Sequence, residues 1–207
     1  MSRCEYPHVV VTGASSGTGR AVALRLAASR YHVYAGVRAY ADGITLYQHT
    51  PPGAGMITPM LLDVSRPAQV AAAARAVTSH AGQPGQPGQP GPAGPAGLAG
   101  LVNYADSPVS AQLAVTQAFV PLLRQAQARI VMIGSAGAGA APESALAALC
   151  EALRQELAPW KIHVVLIEPS DSPLEVATRA VTRALTLSWR EIAGRCLPAR
   201  LKEGSYP

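Results

Sequence analysis

Apolar positions along this chain fall into short β-branched runs separated by longer stretches with helical spacing. Residues 8–12 (HVVVT) form an unbroken apolar run that stops at a glycine, the pattern of a parallel strand buried on both faces. The signal repeats at 31–37 (YHVYAGV), 56–62, 100–103, 129–134 (RIVMIG) and 162–167. Pro59 interrupts the third run, and a residue without an N–H belongs near the start of a strand or at a sheet edge. Between the runs, residues 20–29 (RAVALRLAAS), 67–78, 110–125, 143–158 and 174–187 place apolar side chains at helical spacing, and Ser65 is the predicted N-cap of the second of these helices. Strands alternating with helices predict an α/β fold, a doubly wound parallel sheet with helices on both faces. Ligands of such sheets bind beyond the carboxyl ends of the strands. Chemistry is therefore expected in the loops after Thr12, Val37, Asp63, Asn103, Gly134 and Ile167.

Composition narrows the picture. The 207 residues are expected to form one domain, and 49% hydrophobic against 14% charged residues excludes disorder throughout. Residues 82–97 (GQPGQPGQPGPAGPAG) are low in complexity, with a glycine at every third position; the repeat is too short for collagen and reads as a surface linker, a tolerated loop expansion. No apolar run approaches the roughly 18–20 residues of a membrane span. The polar start leads directly into a strand, so the expectation is a cytoplasmic protein without membrane contact. Cys4, Cys150 and Cys196 lack metal-ligand spacing and read as reduced structural thiols, and no metal is expected. The formal charge of +5 comes from scattered arginines without interleaved aromatics, which argues against nucleic acid and suits a small anionic ligand.

That ligand has an obvious seat. Residues 12–19 (TGASSGTG) lie between the first strand and the first helix, in the setting of a Rossmann-type phosphate loop. Gly13, Gly17 and Gly19 allow the tight turn and the close approach of a pyrophosphate to the helix N-terminus, with Ser15, Ser16 and Thr18 beside them. The second strand ends in Val37-Arg38. No carboxylate there would accept a ribose 2′-hydroxyl or repel a 2′-phosphate, and the Arg38 guanidinium could grip that phosphate, so NADP(H) is the expected cofactor.

TGASSGTGR, with AGVR (35–38), LLDV (61–64), LVN (101–103), LAVTQAFVPLLR (113–124), RIVMIGS (129–135), ALRQELAPW (152–160) and EP (168–169), resembles the short-chain dehydrogenase/reductase family over most of the chain. The likeness is greatest to the retinol-dehydrogenase and 17β-hydroxysteroid-dehydrogenase-like reductases. It implies that Asp63 contacts the adenine, that Val64 packs against it, and that Asn103 belongs to the cofactor loop. It also implies a homodimer or homotetramer packed through helices 110–125 and 143–158.

The family reduces carbonyls with an Asn, Ser, Tyr and Lys tetrad. Ser135 matches the Ser, whereas the resemblance places Pro108 at the Asn, Gly139 at the Tyr and Glu143 at the Lys. A glycine has no acid to give, and a glutamate reverses the charge that would stabilise a phenolate. Pro108 is read as opening its helix, and Glu143 as a carboxylate suited to a first helical turn. Asn-Tyr-Ala-Asp at 103–106 replaces the family's Asn-Asn-Ala-Gly, and three loops at the carboxyl edge look shortened. Tyr104 and Asp106 are candidate substitutes beside Ser135, Tyr104 as a displaced phenolic acid and Asp106 or Glu143 as a base for non-redox proton transfer; a packing tyrosine and a helix-capping aspartate are the alternatives. The five histidines are read as surface or satisfied structural residues. Four functions stay open: an NADP(H)-binding family member without the standard reduction, a non-redox enzyme for cyclisation, dehydration or isomerisation, a reductase using Tyr104, and a non-catalytic nucleotide-binding regulator or partner subunit.

Overall fold

The structure is a computed structural model that describes residues 6–15, 17–81, 97–104, 106–134, 143–168, 174–186 and 197–198. In chain order the elements are β1 (His8–Val11), α1 (Gly17–Ala28), β2 (His32–Val37), α2 (Tyr40–Gln48), β3 (Met56–Leu61), α3 (Pro67–Ala81), β4 (Gly100–Tyr104), α4 (Val109–Gln125), β5 (Arg129–Ile133), α5 (Glu143–Leu157) with a 3₁₀ turn at Ala158–Trp160, β6 (His163–Glu168), α6 (Leu174–Thr186) and β7 (Leu197–Pro198). The seven strands form one parallel sheet in the order β3-β2-β1-β4-β5-β6-β7, so the chain reverses its direction of growth between β1 and β4. The Rossmann-type sheet is as the alternation predicts.

Because successive strand residues point to opposite faces, the unbroken apolar runs fill two cores. Val10, Tyr34, Leu101, Ile130 and Leu166 pack against α3, α4 and α5, with Phe119 fully buried among them. Val9, Val11, Val33, Val102, Val131 and Val165 pack against α1 and α6 and against Leu46 of α2. Pro59 lies on β3, the terminal strand of the sheet, opposite Ala35, where its missing N–H costs no ladder bond.

Two readings need correction. Helix α2 was not expected: its outward side chains Tyr40, Ile44 and Tyr47 are apolar and little besides Leu46 is buried, so the usual inward apolar stripe is inverted. Ser65 does not cap α3, which starts at Pro67; the Ser65 N–H bonds Asp63 Oδ1 instead, and Gln69 Oε1 reaches back to accept the Asp63 N–H. Pro108 is the N-cap of α4 and opens that helix, as its sequence reading has it. The 82–97 segment, apart from Gly97, lies outside the described residues, as do Cys4 and Cys196, while Cys150 is buried.

The histidines at the amino edge of the sheet are structural. The rings of His32 and Tyr34 stack at 4.5 Å, Tyr34 Oη lies 3.2 Å from His8 Nδ1, and His32 Nε2 lies 2.9 Å from Thr58 Oγ1. Burial, followed by the neighbouring His8 and His80, lowers the pKa of His32 to about 4, and burial pushes Tyr34 up to about 12. The folded state therefore takes up a proton at His32 later than the unfolded chain does, so stability present above pH 6.5 is lost as the pH falls towards 4. Thermal midpoints measured across that window should fall, and His32→Gln should flatten the decline. An unchanged slope would show that the cluster does not set acid stability.

Candidate functional site

The carboxyl ends of β1, β2, β3 and β4 converge at the point where the strand order reverses. Gly13 follows β1 and Arg38 follows β2; Leu62, Asp63, Val64 and Ser65 follow β3, and Asp106 and Ser107 follow β4. Together they line one narrow cleft, whose described part encloses about 80 Å³. Four of the loops picked out by the sequence thus form a single site, with Gly13, Arg38, Asp63, Val64 and Asp106 on its walls.

The turn after β1 is held by its own geometry. Gly13 has a φ of +67°, a conformation that a side chain would strain. Gly19 lies in the first turn of α1 directly under that loop; a Cβ there would stand 2.2 Å from the Gly13 carbonyl oxygen. Only a glycine lets the helix approach so closely. Gly17 also has a positive φ, +56°, and Thr18 is half-buried behind it. The Arg38 N–H donates to Ser15 Oγ at 2.9 Å and the Ala14 N–H to the Gly36 carbonyl at 2.8 Å, so the phosphate loop is tied to the end of β2. Ser16 lies outside the described residues.

Beneath the loop a buried network joins β1 to β4. Thr12 Oγ1 donates to Asn103 Oδ1 at 2.9 Å and accepts the Tyr104 N–H at 2.9 Å. Asn103 Nδ2 donates to the Gln112 carbonyl, and Gln112 Nε2 donates to Ser107 Oγ and to the Tyr104 carbonyl. Gln112 Oε1 is buried without a hydrogen-bond partner among the described residues. Asn103 is fully buried with both ends of its amide engaged, tying the end of β1 to α4 beneath the loops that follow β1 and β4. Sequence reasoning missed Thr12 and Gln112, although a glutamine inside an otherwise apolar helical face was a signal for a buried network.

The remaining candidates divide. The Tyr104 ring packs over Gly13, its Cδ1 3.1 Å from where a Cβ on that glycine would be. Asp106 is exposed at the cleft, and no side chain caps α4, so the helix-capping alternative for it does not hold. Asp63 is engaged locally: Oδ1 accepts the Ser65 N–H, and Oδ2 lies 3.5 Å from Arg66 Nε. Ser135 and Gly139 lie outside the described residues, and α5 begins at Glu143. Among the described residues no group of three His, Cys, Asp or Glu side chains could hold a metal ion, and no helix is long and apolar enough to cross a membrane. A larger open hollow of about 510 Å³ lies away from the strand carboxyl ends, beside Arg124, Trp160 and Lys161. The Arg124 guanidinium stacks 4.2 Å above the Trp160 ring, and cations there suit the carbonyl ends of α4 and the 3₁₀ turn.

Comparison with known proteins agrees with this geometry. A sequence profile described as short chain dehydrogenase matches residues 7–83, the segment from β1 past α3. Estradiol 17-beta-dehydrogenase 2 of Mus musculus is 30% identical over 186 residues, covering 78% of this chain and 47% of that protein. The chain spans about half the length of the curated relatives it matches. A 3-ketoacyl-ACP reductase from Sinorhizobium meliloti superposes with a TM-score of 0.69 at 19% identity, covering 93% of this chain and 96% of that one. A metagenomic short-chain oxidoreductase solved in complex with NADP superposes at 0.67 with 22% identity, covering 88% and 91%. The chain belongs to the short-chain dehydrogenase/reductase family, an oxidoreductase family.

The loop and its underlying network give two measurable consequences. Gly19→Ala forces its methyl into the Gly13 carbonyl and should destabilise the fold by about 1–3 kcal/mol in urea unfolding. Asn103→Ala leaves the buried Thr12 hydroxyl without its acceptor and removes one donor to the Gln112 carbonyl, which keeps Thr116 Oγ1, and should cost about 1–3 kcal/mol. A neutral result for both would mean that the loop is not held as described.

Proposed function

We propose that this chain binds NADP(H) in the cleft at the β1–β4 switch point and does not carry out the family's standard carbonyl reduction. The observation that carries the first half is the placement of Arg38 in the same cleft as Gly13, Asp63 and Val64. The residues fit the cofactor in kind. The loop from Gly13 to Gly19 and the N-terminus of α1 would hold the diphosphate, because free N–H groups and the helix dipole favour an anion there. Ser15 and Thr18 flank that position, Arg38 would pair with the 2′-phosphate, and Asp63 and Val64 would receive the adenine. Asn103 would act from beneath by fixing Thr12 and the start of the β4 loop. When bound, NADP(H) supplies or accepts a hydride.

The second half rests on proton supply. A reduced carbonyl needs an acid beside it, and the family's positions for the amide, the phenol and the ammonium are taken here by Pro108, Gly139 and Glu143, leaving Ser135 of the four. Proline and glycine carry no acid, and a glutamate's negative charge raises the pKa of a neighbouring phenol where the family's ammonium would lower it. The cleft is then a nucleotide seat serving non-redox chemistry or nucleotide-dependent association. A second reading, reduction with Tyr104 as the acid, draws on the contact of its ring with Gly13 in this loop cluster.

Calorimetric titration with NADPH and NADH tests the seat. NADPH should bind at least about tenfold more tightly than NADH, and Arg38→Ala should remove the difference, since a charge-assisted contact is worth about 1.5–3 kcal/mol. No heat with either nucleotide would sink the proposal. Absorbance of the nicotinamide followed with a panel of carbonyl compounds should stay constant. Turnover that Tyr104→Phe and Ser135→Ala both abolish would establish the second reading instead.

A further inference from the structure

The inverted helix α2 has a purpose that the cleft does not explain. Tyr40, Ile44 and Tyr47, spaced four and three residues apart, form a single stripe along its outer face and are 76%, 62% and 68% exposed. Met56, at the start of the neighbouring edge strand β3, is 54% exposed. A soluble helix of this length ordinarily turns such a stripe inward. A contiguous exposed apolar patch marks a contact surface.

The stretch of chain that bears the stripe is basic. From Gly17 to Leu62 the chain carries four arginines, Arg20, Arg25, Arg30 and Arg38, and one carboxylate, Asp42. Helices α1 and α2 cover the same face of the sheet, and Arg20 Nη2 lies 3.2 Å from His49 Nδ1 just after the end of α2, which ties the basic helix to the apolar one. Arg25, Arg30 and Arg38 are exposed. Amphipathic tyrosines and an aliphatic residue beside arginines match the boundary of an anionic bilayer, where rings sit at headgroup depth and guanidinium groups meet lipid phosphates and carboxylates.

A second copy of the chain fits less well. Four such side chains offer on the order of 400–500 Å², about half of the ~800 Å² per partner that a stable protein interface buries. Pairing through β3 is blunted by Pro59, which gives no N–H to a partner strand. We propose that the α1–α2 face is a peripheral docking surface for anionic membrane, with Tyr40, Ile44, Tyr47 and Met56 entering the headgroup boundary. The expectation of no membrane contact drawn from the sequence rests on the want of a spanning run, which peripheral docking does not need.

Co-sedimentation of the full chain with lipid vesicles tests this. The chain should partition onto phosphatidylcholine vesicles containing phosphatidylserine, not onto phosphatidylcholine alone, and high salt should release it. The triple variant Tyr40→Ser, Ile44→Ser, Tyr47→Ser should bind at least about tenfold more weakly, and Arg25→Gln and Arg30→Gln should each lose about fivefold. If the triple variant fails to fold, Ile44→Asp, one change at an exposed position, should give a comparable loss. The proposal is overturned by any of three results: no partition onto anionic vesicles, partition undiminished in these variants, or lipid-free self-association that the same variants abolish.

Discussion

The hydroxyl of Thr12 is the point on which the rest of the molecule turns. It donates to Asn103 Oδ1 and accepts the Tyr104 N–H, joining the ends of β1 and β4, the two strands that diverge at the switch point. Every wall of the cleft hangs from one of those strands or from their neighbours β2 and β3. In the buried setting around Asn103 and Gln112 an unmet donor or acceptor is costly, so the network holds one arrangement of the loops above it. Strand pairing alone would align β1 with β4; the side-chain bonds add the fixed offset between Gly13 and the turn that carries Asp106.

Under the function proposed above, the cofactor half of the site persists while the family's proton donors are replaced, and this rigidity supplies the reason. The glycine loop, the Ser15–Arg38 tie and the buried amides are also parts of the fold, and altering them disturbs packing. A tyrosine or lysine reaching over the sheet edge has no such second role. Replacing it leaves the cores on both faces untouched, so chemistry can be lost while the nucleotide seat remains.

Most of the fold was legible because a parallel strand buried on both faces leaves an unmistakable run, as at 8–12 and 129–134. The glycine turn after β1 was legible because glycines at fixed spacing answer a steric demand, which Gly19 under the Gly13 carbonyl makes concrete. What escaped did so for physical reasons. Helix α2 lacks an inward apolar face, so periodicity could not separate it from a loop. Ser65 has the chemistry of a cap, but Gln69 captured the backbone ahead of α3 from the other side. The roles of Asn103 and Gln112 depend on which buried groups face them across the sheet, and spacing along one chain does not carry that.

The Thr12–Asn103 bond closes a loop of 91 residues, and that span has a consequence for how the chain tolerates change. The entropy lost on closing a loop grows only with the logarithm of its length, about 0.6 kcal/mol for each doubling. The Gly-Pro-Gln repeat at 82–97 lies within this span, between α3 and β4. Lengthening or trimming it by several triplets alters a closure already made by a few hundredths to a tenth or so of that doubling cost, about 0.1 kcal/mol or less. The repeat can drift in length with almost no effect on whether β1 finds β4. The cost appears in time, because contacts as distant in sequence as Thr12 and Asn103 slow the folding of the chain that depends on them.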